Sequence, residues 1–387
     1  MKIAIFTDTF LPQTNGIVTA TINLAKGMAD RGHHVYILAP KFPKEKEFSY
    51  TNITIKRVPS IPAFFYQDFK FVSPYSRKVL EYIKKEKIEI IHFQAPVTIA
   101  IQAIRISKKL KIPLVGTFHT FISDPAYLKH IKLNYNAVVK LAWAYTRAYY
   151  NKCNLITCPS ENTKKELLKN NLTNNIQVIS NGMDTNIFDN SKAKEVKAKY
   201  APKGNLLLFI GRIAHEKNLF YLVDCMKLVC NEMPETKLIM VGGGPQMDEI
   251  KEKIKSLKLQ NNIILLGEVK YNELIKSSIF GASDLFLTAS VTENQPMTIL
   301  EAQANGLVCV GARARGIPNL IKDNYNGYTI IPGDKQAFAN AIIKLLKDKK
   351  LRKKMEENTN TEIKNHEISQ VIDTWEKTYN QLIKNYH

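Results

Sequence analysis

Ala289-Ser-Val-Thr-Glu293-Asn-Gln-Pro-Met-Thr-Ile-Leu-Glu301-Ala-Gln-Ala-Asn-Gly306 is the most informative stretch of this 387-residue chain. Directly before it, Asp284-Leu-Phe-Leu-Thr288 has the length and bounds of a buried strand. Pro296 stands where a first helical position would be, and Gly306 where a helix would stop. Glu293 therefore lies in a loop leading into a helix, and Glu301 inside that helix, about a turn further along. In open α/β sheets, such junctions at the carboxyl ends of parallel strands are where ligands bind. The helix start offers free N–H groups to an anion, and the carboxylates suit hydroxyls. Nucleotide sugars carry both. The plainer reading, two ordinary surface glutamates, has to be weighed against the rest of the chain.

Apolar runs of strand length alternate with helical patterns from end to end, which predicts parallel sheets with helices on both faces. The first half gives Lys2–Thr7, His34–Ala39, Ile53–Val58, Ile88–Phe93, Leu114–Phe118, Leu155–Cys158 and Gln177–Ile179. After a charged, linker-like stretch, Asp189–Gly204, the second half gives Leu206–Ile210, Lys237–Val241, Ile263–Leu266, Leu285–Thr288 and Leu307–Gly311. Past Gly333 only helical segments follow, the last near Val371–Asn385. The expected layout is one doubly wound, Rossmann-like domain over 1–190, a linker over 191–204, a second such domain over 205–365 and a final helix over 366–387.

Two such halves would also suit a dehydrogenase, but the dinucleotide fingerprint G-x-G-x-x-G is missing. The first turn, Asp8-Thr-Phe-Leu-Pro12-Gln-Thr-Asn15-Gly16, carries a single glycine, and Gly242-Gly-Gly-Pro245 lacks the third glycine at the required place. The latter reads as a strand-to-helix turn.

Three further segments carry chemistry. Gly211-Arg-Ile-Ala-His-Glu-Lys217-Asn218 follows the first strand of the second half. Arg212 there is a bidentate donor and Lys217 a point charge, a suitable pair for two phosphates. Gly16 opens the first helix. His119 closes the apolar run Pro113-Leu-Val-Gly-Thr-Phe118, so its imidazole is expected at the ligand end of a strand, with Asp124 on the following loop.

The Glu-x7-Glu spacing with the Arg212–Lys217 loop, Gly16, His119 and Asn181-Gly-Met-Asp184 resembles the retaining glycosyltransferases of family 4 over essentially the whole chain. The likeness extends to bacterial diacylglycerol glucosyltransferases and phosphatidylinositol mannosyltransferases. It implies the GT-B fold, two Rossmann-like domains facing a crevice, with the last helix crossing back to the first. It further implies that Arg212 and Lys217 hold the donor diphosphate and that the Gly16 backbone lies close to it. Glu293 would meet the sugar and Glu301 the ribose, with Asn294, Met297 and Thr298 along the donor. His119 would touch the sugar and the acceptor side. No metal and no cofactor are implied beyond the nucleotide sugar, UDP-glucose or GDP-mannose. One departure is the run after Glu293, Asn294-Gln-Pro-Met297, where many relatives have Gly-Phe-Gly.

The formal charge is +20. Residues 1–190 carry 26 basic and 13 acidic side chains, the remainder 29 and 22. The excess thus falls on the half without the glutamate motif, which suggests a second anionic surface; a lysine-rich genome would raise the charge without one. No helix-turn-helix, RNA-stacking or zinc motif favours nucleic acid. Five cysteines, no membrane-length apolar run and no signal layout at Met1 suggest a reduced, cytoplasmic setting. Taken as one helix, 127–152 places Tyr127, Ile131, Tyr135, Val138, Ala142, Tyr145 and Tyr149 on a core face. Lys129, Lys140 and Arg147 fall opposite, flanked by Lys132 and Trp143. Such a basic stripe resembles a helix lying on an anionic bilayer, and Ala63-Phe-Phe-Tyr-Gln-Asp-Phe-Lys-Phe71 is a second candidate lip for lipid. The expected acceptor is a membrane lipid hydroxyl such as that of diacylglycerol, reached by a protein peripheral to the inner face of the membrane. The alternative is the same chemistry on a soluble or polyprenyl-linked saccharide.

Overall fold

Aliphatic and β-branched runs bounded by turns become parallel strands here, the central ones fully buried because helices cover both faces of each sheet. The computed structural model describes residues 1–13, 15–42, 48–62, 70–94, 98–121 and 135–386. It divides into two units, Met1–Gly182 with Ile368–His387, and Met183–Glu367.

The first unit contains β1 (Lys2–Phe6), β2 (His34–Pro40), β3 (Ile53–Val58), β4 (Ser60–Pro62), β5 (Lys70–Val72), β6 (Ile90–Phe93), β7 (Leu114–Thr117), β8 (Leu155–Cys158) and β9 (Ile176–Val178). Its main sheet runs β3-β2-β1-β6-β7-β8-β9, all parallel, while β4 and β5 form a separate antiparallel pair. Successive side chains of β1 point to opposite faces. Ala4 and Phe6 join a core with Leu38, Phe93, Phe118 and Tyr150. Ile3 and Ile5 join Ile37, Val115 and the C-terminal helix Ile368–Tyr386 through Val371, Ile372, Trp375 and Tyr379. That helix therefore completes the first unit's core, each buried large side chain contributing about 1.5–3 kcal/mol. Arg31 and His33 hold it at the rim, each 2.8 Å from the Glu376 carboxylate.

The second unit contains β10 (Leu206–Ile210), β11 (Lys237–Val241), β12 (Ile263–Gly267), β13 (Leu285–Thr288), β14 (Val308–Ala312) and β15 (Gly327–Ile330). Their order is β12-β11-β10-β13-β14-β15, again all parallel. In both sheets the order reverses beside the unit's first strand, between β1 and β6 and between β10 and β13. Ligands bind at such reversals.

One expectation is corrected, and three strands are added. The segment 191–204 is not a free linker: Ala193–Tyr200 is helical and belongs to the second unit, where Lys197 pairs with Asp284. Charge alone made it look like a connection, but the preceding Phe188 packs edge-on to Phe280 at 5.1 Å and anchors it. The strand β15 was missed, although Tyr328-Thr329-Ile330 is strand-forming and bounded by Gly327 and Pro332. The short β4–β5 pair was missed as well.

Candidate functional site

Neighbouring β10 and β13 send out the two loops that the sequence singled out. Contacts join them. Ser290 Oγ donates to the Glu216 carbonyl at 2.9 Å, and Lys217 Nζ forms an ion pair with Glu293 Oε1. The side chains of this pair keep only 23% and 21% of their surface exposed. Asn218 adopts φ 53°, turning the 3-10 segment His215–Lys217 into the helix Leu219–Glu232. Beneath lies the glycine run after β11. Gly211 N donates to Val241 O at 2.9 Å and Ile213 N to Gly243 O at 2.8 Å. A Cβ on Gly242 would stand 1.9 Å from Gly211 O. The run is thus the bed on which the Arg212 loop lies, and the Arg212 side chain itself is exposed.

The helix Met297–Ala304 starts one residue later than expected, with Pro296 at its N-cap rather than at the first helical position. Ile299 N and Leu300 N donate to Pro296 O at 3.1 and 3.4 Å. The N–H groups of Met297 and Thr298 thus precede the helix's own bonding. Asn294 and Met297 are buried and Thr298 half-buried. The loop before them is fixed from behind: Gly316 N donates to Glu293 O at 2.8 Å, and a Cβ on Gly316 would sit 1.5 Å from Asn294 O. Glu301 is only 4% exposed. Burial pushes its carboxyl up to about 7, against a hydrogen bond with the Tyr271 side chain. No sequence signal pointed to Tyr271, which belongs to a four-residue helix after β12.

In the first unit, Gly16 is the exposed first residue of the helix Gly16–Asp30. Asn15 caps that helix, its Oδ1 accepting from Ile17 N and Val18 N, each at 3.0 Å. His119 follows β7, and its Nε2 lies 2.7 Å from Oε1 of Gln94, which follows β6. Behind them His92 is fully buried, with Nδ1 2.7 Å from the Tyr379 hydroxyl and Nε2 2.6 Å from Thr117 Oγ1. His119 keeps part of its ring at the surface, yet its largely protein surroundings lower its pKa to about 4. Burial, with His119 nearby, lowers His92 to about 3. Both imidazoles are therefore neutral at neutral pH. In sequence His119 stands out alone; polar His92 and Gln94 at the end of a buried strand are the signal that adds them. Asp124 and Lys129 lie outside the described residues.

The basic stripe is corrected in part. The helix is described from Tyr135 to Tyr150, so Tyr127, Ile131 and Lys132 also lie outside the described residues, as do 63–69 of the aromatic stretch. Trp143 is buried, its ring stacked 6.5 Å from Phe118 and edge-on to Phe121 at 6.0 Å. Tyr145, expected in the core, is 36% exposed, and Leu141 is 70% exposed. Lys140 is exposed, whereas Arg147 is half-buried and donates to Asn170 O at 3.2 Å. The helix carries aromatic and alanine side chains on several sides, so its phase is ambiguous in sequence. The aromatic pair Phe118–Phe121 selects tryptophan for the core.

A family model described as glycosyl transferases group 1 matches residues 190–362, and one for Glycosyltransferase Family 4 matches residues 14–187. The chain belongs to the family 4 glycosyltransferases. This glycosyltransferase is similar to the alpha-monoglucosyldiacylglycerol synthase of Streptococcus pneumoniae, at 29% identity over 84% of this chain and 74% of that protein. It is also similar to the N-acetyl-alpha-D-glucosaminyl L-malate synthase of Bacillus anthracis, at 25% identity over 97% and 96%. The crystal structure of Anabaena HepE in complex with UDP matches with a TM-score of 0.79, at 19% identity over 98% of this chain and 100% of that one. At that identity the match establishes the two-domain GT-B fold. Among the described residues no helix is long and apolar enough to cross a membrane, and no group of three or more His, Cys, Asp or Glu gathers as a metal site.

Proposed function

We propose that this glycosyltransferase moves a hexose, glucose by preference, from a nucleoside-diphosphate sugar to a membrane-lipid hydroxyl such as that of diacylglycerol, with retention at the anomeric carbon. The observation that carries the chemistry is the Lys217–Glu293 ion pair at the β10–β13 reversal. It gathers a phosphate-binding cation and a hydroxyl-binding carboxylate beside the amino end of the helix Met297–Ala304. Arg212, Lys217 and the N–H groups of Met297 and Thr298 take the diphosphate and stabilise the charge that develops as it leaves. Glu293 accepts from sugar hydroxyls, and Asn294 lines the pocket beside it. Glu301 accepts from ribose hydroxyls. His119, neutral at working pH, accepts a hydrogen bond from a hydroxyl rather than donating a charge.

The name of the Streptococcus relative supports the lipid acceptor, as does the basic excess of residues 1–190. With Trp143 buried, the surface suited to a bilayer is the exposed face of the helix Tyr135–Tyr150, where Leu141 and Tyr145 stand with Lys140. A soluble acceptor is the second reading, favoured by the L-malate synthase relative, which matches over nearly the full length of both chains.

A panel of nucleotide sugars, tested with vesicles of diacylglycerol and phosphatidylglycerol and with soluble hydroxy acids and sugars, separates the readings. Glucolipid formation from UDP-glucose, abolished at high salt and by Leu141→Asp with Tyr145→Ser, supports the lipid reading. Transfer only to a soluble acceptor, or equal transfer on neutral vesicles by the double variant, overturns it.

A further inference from the structure

Gln94 is 2% exposed and lies at the end of β6, beside the strand that delivers His119. Its two amide ends have different partners. Oε1 is 2.7 Å from His119 Nε2, while Nε2 is 3.2 Å from Nε2 and 3.4 Å from Nδ1 of His92. The His92 ring is itself held on both sides, by the Tyr379 hydroxyl at 2.7 Å and by Thr117 Oγ1 at 2.6 Å. Thr117 Oγ1 continues to Thr157 Oγ1 at 2.6 Å, and Trp375 covers the His92 ring at a centroid distance of 5.0 Å.

The placement of the amide fixes where the His119 proton sits. In the structure the NH₂ end lies towards the His92 ring, whose nitrogens already meet the Tyr379 hydroxyl and Thr117 Oγ1. With NH₂ facing His92, the oxygen faces His119. An amide oxygen only accepts, so the His119 nitrogen at 2.7 Å is the one that carries hydrogen.

We propose that Gln94 is a positioning residue for sugar transfer: it holds His119 in one ring orientation as the Nε2–H tautomer, which keeps the proton off Nδ1. His92 and Tyr379 are the outer part of the same device, so the C-terminal helix supports the histidine it backs. The proposal rests on the reading of His119 as a participant in transfer. The other titratable side chains in this cluster are His92, Tyr150 and Tyr379. Burial keeps all three neutral, lowering the histidine and raising both tyrosines.

The test uses the full chain labelled with ¹⁵N-histidine and long-range ¹H–¹⁵N correlation, with UDP-glucose turnover measured in parallel. Wild-type His119 should appear as the neutral Nε2–H form at pH 7. Gln94→Leu should convert it to a mixture of tautomers, lowering kcat at least ~10-fold while KM for UDP-glucose moves less than ~3-fold. Gln94→Glu restores an oxygen acceptor in the same shape. It should recover the Nε2–H form and, because a carboxylate favours the imidazolium, move the acid limb of the pH–kcat profile to higher pH. A merely structural glutamine predicts neither the tautomer change nor the moved limb. Unchanged His119 resonances and kcat in Gln94→Leu, with the other histidine signals confirming the fold, overturn the proposal. So does a Gln94→Glu profile that coincides with wild type. A changed tautomer with unchanged turnover would instead remove His119 from the reaction, so the two failures are distinguishable.

Discussion

Glu301→Gln replaces a buried acid with an amide of the same shape and should stabilise the second unit in a pH-dependent way. Glu301 is 4% exposed, and burial raises its pKa from 4.5 to about 7 despite the bond with Tyr271. At about 1.4 kcal/mol for each tenfold change in proton affinity, that difference amounts to about 3 kcal/mol. The sign follows from proton counts. Between 4.5 and about 7 the folded unit keeps a proton that the unfolded chain has released. The stabilisation is therefore complete below 4.5 and is lost as pH rises through about 7. Glutamine has no proton to lose. The variant should match wild type near pH 4 and exceed it by about 3 kcal/mol at pH 8, roughly 6–12 °C in Tm for a unit of this size. Scanning calorimetry at pH 5 and pH 8 reads this, the second unit's transition being the one that UDP moves upward. The same substitution should weaken UDP binding, since one carboxylate acceptor is replaced by an NH₂ donor. A stability difference equal at both pH values, or a variant less stable at pH 8, would refute the buried, proton-holding carboxyl.

Lys217→Ala should weaken UDP binding by about 1.5–3 kcal/mol in calorimetry, the worth of a hydrogen bond to a charged group. Because Lys217 and Glu293 are paired, adding Glu293→Ala should cost less than the sum of the single changes; strict additivity would separate the two loops. Gly316→Ala places a methyl 1.5 Å from Asn294 O, so the Glu293–Asn294 loop has to move. UDP affinity should fall at least ~10-fold, whereas unchanged affinity would mean that this loop does not touch the donor. Tyr379→Phe removes the hydroxyl 2.7 Å from His92 Nδ1 and should cost about 1–3 kcal/mol of stability in the first unit. UDP affinity, a property of the other unit, should remain at the wild-type value.

Periodicity and turn chemistry are local, and what depends on them was legible. The buried runs Leu206–Ile210, Lys237–Val241 and Leu285–Thr288 are strands at those residues, because a run apolar on both sides is stable only inside a covered parallel sheet. Pro296 opening the helix Met297–Ala304 was equally readable. The motif spacing of Arg212, Lys217, Glu293 and Glu301 led to the family. Sequence did not reveal which side chains meet. Lys217 and Glu293 are 76 positions apart, and they pair because β10 and β13 are neighbours, a fact of strand order that no local window contains. Trp143 turns inward because Phe118 and Phe121 wait there, while Tyr145 of the same helix stays 36% exposed beside Tyr149. Helical spacing gives an amphipathic helix its period, but only the surface it packs against gives its phase. The same holds for Tyr271 against Glu301 and for Gln94 between His119 and His92. Each is an ordinary residue in sequence, and each acquires its role from a buried partner whose pKa or tautomer depends on the surrounding packing.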